Sequence, residues 1–172
     1  NPSYCIYSPS VTLAKQLAKC CPKTVFLGPC GLDPTGYHLR SYFLSQGVFS
    51  YLKYYDVPTS QCIFNDNTLH LYQPISDVFT IHDMYLGEFR RVVSVIFDGT
   101  SFYLKHIPEL MARSKSKGIP VYLFLDRITW SEKMLPFILD LINDYVDCLV
   151  MDWSVAVNLF SVKHPSDLAH QK

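Results

Sequence analysis

The sequence predicts a single α/β domain over residues 1–163 with a mostly parallel sheet, closed by an antiparallel terminal strand pair and followed by a polar tail, 164–172. Three observations carry this. Short apolar runs rich in Val, Phe and Tyr alternate with stretches of helical spacing, the pattern of βα repeats and parallel strands. Four of those runs end in an acid, at Asp56, Asp83, Asp98 and Asp126. The last two runs, 146–151 and 155–162, are joined only by Asp152-Trp153-Ser154, too short for a crossover, so they are expected as antiparallel neighbours.

Each element has its own signal. Residues 10–21 place Val11, Leu13, Ala14, Leu17 and Ala18 at helical spacing, with Ser10 as cap and Pro22 as stop. TVFLG, 24–28, reads as a strand running into the turn PCGLDPTG. Residues 37–46 read as a helix ended by Gly47, and 49–55 as a strand ended by Asp56 and Pro58. Residues 61–73 suggest a hairpin about the turn-forming NDNT. Residues 78–82 and 91–97 suggest strands ending at Asp83 and Asp98. A helix over 102–117 carries Arg113, Lys115 and Lys117 where they suit its dipole. A strand over 120–126 and a helix over 131–145 capped by Ser131 complete the βα repeats.

Composition narrows the function classes. Of 172 residues, 49% are hydrophobic and 17% charged, which excludes intrinsic disorder. Lys+Arg 15 balance Asp+Glu 15, which argues against a strongly basic nucleic-acid coat. Six Cys without a CxxC pair read as free thiols, and no metal site is expected. No apolar run is long enough to span a bilayer. The chain opens Asn1-Pro2 without Met, which suggests a piece of a longer polypeptide.

In an open α/β sheet, ligands bind at the carboxyl ends of the strands. The candidate site is therefore the glycine turn with Gly28, Gly31 and Asp33, followed by Asp56, Asp83 and Asp98. His38, His82, Trp130 and Trp153 are placed to line such a crevice, though packing is the commoner role for each. Arg90-Arg91 suit phosphate contacts or a solvated face.

This outline, with KTVFLGPCGLDPTG as a first motif, resembles the S-adenosylmethionine-dependent methyltransferases, and among them the compact RNA-cap enzymes of nidovirus-type replicases. The resemblance implies a Rossmann-like fold with S-adenosylmethionine on Gly28, Gly31, Asp33, Asp56 and Asp83, Asp56 taking the ribose hydroxyls and Asp83 lying beside the adenine. Asp98 would then be catalytic, placed beside the transferred methyl group. Ribose 2′-O transfer needs a Lys-Asp-Lys-Glu tetrad, of which only Asp98 is in place, so guanine N7 is the expected acceptor, or a domain that has lost activity. RNA and other replicase subunits are the implied partners, in host cytoplasm at membrane-associated replication complexes. The stretch from Leu69-His70-Leu71-Tyr72 through VIFDG to PVYLFLD is also similar to the Y region of the large replicase subunit, which implies a non-enzymatic interaction domain.

Overall fold

The structure is a computed structural model that describes residues 9–65, 68–72, 92–99, 106–126 and 132–161. The chain is α/β with mostly parallel strands, as the sequence predicts at that level. Its described elements fall into two compact units.

The first unit holds α1 (Pro9–Cys20), β1 (Val25–Gly31), α2 (Pro34–Ser45), β2 (Phe49–Tyr55), β3 (Gln61–Asn65) and β4 (Thr68–Tyr72). Strands β1 and β2 pair in parallel, with Val25 opposite Phe49 and Gly31 opposite Tyr55. Helix α2 is the crossover that a parallel pair requires. Val11 and Ala14 of α1 meet Phe43 of α2 and Val48, with Phe26 and Leu52 packed against them. The Phe26 and Phe43 rings lie 4.4 Å apart and tilted, a favoured aromatic geometry. Alternation decides which face of the pair is covered. Phe26 and Leu52 point to the helices, while Val25, Phe49 and Tyr51 on the other face stay exposed. Strands β3 and β4 form the expected hairpin, with Asn65 opposite Thr68.

The second unit holds β5 (Val95–Asp98), α3 (Ile107–Ser116), β6 (Val121–Leu125), a 3-10 turn (Glu132–Met134), α4 (Leu135–Tyr145), β7 (Cys148–Met151) and α5 (Trp153–Phe160). Its sheet runs β5-β6-β7, all parallel. The central strand β6 buries Val121, Leu123 and Leu125. Helices α3, α4 and α5 contribute Leu110 and Met111, Ile138 and Leu141, and Val155 and Leu159 to the buried set. Each such side chain contributes about 1.5–3 kcal/mol on burial. Helix α3 ends as its sequence dictates: Gly118 sits at φ 68°, and the Ile119 N–H returns to the Ser114 carbonyl at 3.0 Å.

One expectation fails outright. In place of the second terminal strand expected over 155–162, Trp153–Phe160 is helix α5. Among the described residues, the sheet of this unit therefore ends on the parallel strand β7, without an antiparallel partner. The physical reason is that VAVNLF is short, with Asn158 as its one polar residue, so its period is ambiguous. In the fold Val155, Ala156 and Leu159 share one buried helical face. The Asp152 carbonyl starts the helix by accepting from the Val155 and Ala156 N–H groups, both at 3.0 Å. The strand expected at 78–82, with His82 and Asp83, lies outside the described residues, as do Arg90-Arg91, Trp130 and Ser131.

Candidate functional site

The glycine turn is a knot of short hydrogen bonds. Asp33 caps α2, its extended backbone followed by Pro34 as the first helical residue. Its Oδ1 accepts from the Gly36 N–H and from the Thr59 hydroxyl, both at 2.7 Å. Its Oδ2 accepts from the Thr59 N–H at 2.7 Å. The Thr59 Oγ1 in turn accepts from the Gly31 N–H at 2.9 Å. Burial pushes the Asp33 carboxyl up, but bonds from Thr59, Gly36 and Thr35 outweigh it and hold the group below the usual carboxylate range.

The same contacts explain the glycines. A Cβ on Gly31 would stand 2.4 Å from both the Thr59 nitrogen and the Val57 oxygen. A Cβ on Gly36 would stand 2.2 Å from the Gly31 oxygen. Gly31 thus permits the close approach of the chain's own segment 57–59, and Gly36 that of the Gly31 carbonyl. Gly28 differs: it lies within β1 opposite Leu52, and its added Cβ would meet the Phe26 ring at 3.1 Å.

The structure thus brings Gly31 and Asp33 together and adds Gly36, which the sequence places in the same turn but not in the candidate site, and Thr59, which the sequence reading missed. An Asp-Pro pair opening a helix is a readable cap signal. Thr59, 26 residues beyond Asp33, has no such signal. Asp56 follows β2 and is exposed, while Asp83 is outside the described residues. Nearby, Tyr37 stacks on Tyr54 with ring centroids 5.5 Å apart. Burial first, then the neighbouring Cys30, raises the Tyr54 phenol above its ordinary value, with Arg40 opposing.

Asp98 belongs to the second unit. It ends β5 and is only 5% exposed. Register pairs it with Phe124, and two residues beyond Phe124 comes Asp126, 7% exposed. Asp152 follows the next strand, β7, and its N–H donates to the Leu125 carbonyl at 3.1 Å. Three adjacent parallel strands thus each lead into an acid at the carboxyl edge, where open α/β sheets take ligands. Helix α5 begins at that edge directly after Asp152 and turns its positive end there. Among the described residues, no group of three His, Cys, Asp or Glu side chains is arranged to hold a metal ion by itself.

At the start of the same strands the chemistry is structural. Asp147 accepts the Val121 N–H on Oδ2 at 2.8 Å and pairs with Lys115 through Oδ1. The Lys115 bond, then the Val121 N–H, holds the Asp147 carboxyl below its ordinary value. A groove of about 290 Å³ beside this pair is lined by Lys115, Gly118, Ile119, Pro120 and Asp147.

No protein-family model and no curated protein matches the sequence. Solved structures do. The chain is similar to a putative ribokinase II from E. coli in complex with ATP and magnesium, with a TM-score of 0.76 and 11% identity over 98% of this chain and 58% of that one. It is similar to a fructokinase from Xylella fastidiosa, with a TM-score of 0.74 and 14% identity over 95% of this chain and 56% of that one. It is also similar to the adenosine kinase of Anopheles gambiae, with a TM-score of 0.67 and 17% identity over 88% of this chain and 48% of that one. The chain therefore spans about half the length of the solved structures it matches. These findings overturn the expected viral identity: neither an RNA-cap methyltransferase nor the Y region of a nidovirus replicase is supported. Repeated parallel βα units are common to many α/β folds, so alternation and strand-end acids did not discriminate among them. What these kinase structures share with the chain is the fold.

Proposed function

We propose that the chain binds a nucleotide, as a magnesium complex, at the carboxyl edge of β5-β6-β7. The observation that carries this is the pair of buried carboxylates, Asp98 and Asp126, leading out of adjacent parallel strands. Magnesium takes one or two carboxylates together with phosphate oxygens and water, rather than a dedicated cage of side chains. Two acids without a three-residue metal cluster fit an ion that arrives with its phosphates. When bound, the ion offsets the phosphate charge that the two carboxylates would otherwise repel. The start of α5 at the same edge supplies backbone N–H groups of the kind that suit phosphate oxygens. The kinase-like fold supports the same reading, one neighbour having been solved with ATP and magnesium.

Calorimetric titration tests it. Heat is expected for magnesium–ATP, diminished without magnesium and in Asp98→Asn. S-adenosylhomocysteine, run in parallel, addresses the cofactor expected from the glycine turn. Heat with that ligand and none with any nucleotide would overturn the proposal.

A further inference from the structure

Free cysteine is among the most buried residue types, yet Cys20 and Cys21 are adjacent, unoxidised and both exposed. Neither contributes to the core of the first unit. They stand at the end of α1 on a fixed backbone. The Cys21 N–H donates to the Leu17 carbonyl at 2.7 Å, and the Cys21 carbonyl accepts from the Thr24 N–H at 3.0 Å and from its hydroxyl at 2.7 Å. The Cys20 thiol leans back over its own helix, 3.6 Å from the Gln16 carbonyl. That S–H contact is weak, so turning the Cys20 sulfur toward its neighbour costs little.

We infer that Cys20 and Cys21 form a two-sulfur clamp for a soft, thiophilic centre. Thiolates select soft ions, and the number of donors selects among them. No third His, Cys, Asp or Glu completes a metal-binding group among the described residues. The clamp therefore suits a centre satisfied by two sulfurs, such as an organic trivalent arsenical, and not tetrahedral zinc, which takes four ligands. With phenylarsine oxide the step balances without an oxidant. Two arsenic–sulfur bonds replace the two bonds to the arsenoxide oxygen, which leaves as water with the two thiol protons.

The experiment is intact-mass measurement of the 172-residue chain after phenylarsine oxide treatment. One adduct is expected that survives excess monothiol and is removed by a dithiol. Cys20→Ser and Cys21→Ser should each abolish the monothiol-resistant adduct while circular dichroism stays unchanged. Cys148→Ser, which removes another exposed thiol, should retain it. A resistant adduct that persists when both Cys20 and Cys21 are serine overturns the inference, as does a wild-type chain that forms none.

Discussion

The Asp33 carboxylate accepts both the N–H and the hydroxyl of Thr59, each at 2.7 Å, across 26 residues of sequence. One side chain thus caps α2 and anchors the segment that follows β2. The loop after β1 is held to the loop after β2 by charge-assisted bonds, which are stronger than neutral ones. A carboxylate engaged in this way is part of the frame of its unit.

Removing it should cost stability. Asp33→Ala loses the helix cap, about 1 kcal/mol. It also leaves the Thr59 N–H without its acceptor, which costs about 1–3 kcal/mol. The midpoint of urea unfolding should fall accordingly. Asp33→Asn keeps an acceptor for Gly36 and should lose less.

Stability should also depend on acid in a defined direction. The hydrogen bonds from Thr59, Gly36 and Thr35 outweigh burial and hold Asp33 below its ordinary value in the folded state. Its contribution is fully present above the unfolded value, about 3.9, and is lost as pH falls through the lower folded value. Asp147, held down by Lys115 and the Val121 N–H, acts in the same direction. Unfolding free energy followed from pH 5 downward should decline, and less steeply in Asp33→Asn. At the alkaline end, burial and then the Asp33 charge push the Cys30 thiol up to about 11. That contribution is present at neutrality and should be lost as pH rises from the unfolded value through the folded one. Cys30→Ala should flatten the decline.

The α/β class was legible because TVFLG and PVYLFLD carry β-branched and aromatic runs that only a strand buries well. Helix α2 was legible from its spacing, although its true start lay one turn earlier, at an Asp-Pro cap. Helix α5 was not legible, since VAVNLF has strand-like composition and tertiary packing decided its state. The glycine turn showed that backbone comes close to something at Gly31. Only the three-dimensional partner, Thr59, shows that the neighbour is the chain itself. The row of strand-end acids was visible, but the sequence offered no measure of burial to separate Asp98 and Asp126 from the exposed Asp56.

Two glycine substitutions along β1 should therefore behave differently. Gly31→Ala drives a methyl group against backbone at Val57 and Thr59, where neither atom can rotate away. Overpacking of this kind costs about 1–3 kcal/mol. Gly28→Ala meets only the edge of the Phe26 ring, a side chain that can shift. Thermal unfolding should rank Gly31→Ala well below Gly28→Ala. The reverse order would mean that the 57–59 segment does not pack on the turn.

The last prediction separates a ligand role for Asp98 from a structural one. Asp98 and Asp126 are both buried acids at neighbouring strand ends, where carboxylate oxygens suit a magnesium ion that brings its phosphates. Asn at position 98 keeps the shape and one acceptor while removing a negative charge. If the pair serves a magnesium nucleotide, Asp98→Asn should leave the unliganded protein no less stable, yet weaken magnesium–ATP binding by about 1.5–3 kcal/mol, the range for a bond to a charged group. Nucleotide without magnesium should bind the variant no worse than the wild type, because the repulsion that the metal offsets is smaller. Asp126→Asn should behave alike. Asp152→Asn should have a smaller effect, because Asp152 is exposed and an exposed charge is screened. Calorimetry with and without magnesium, paired with denaturant unfolding of the same variants, reads both quantities. A variant that loses stability and keeps its affinity would assign Asp98 to the frame of the sheet and leave the proposed site without its principal residue.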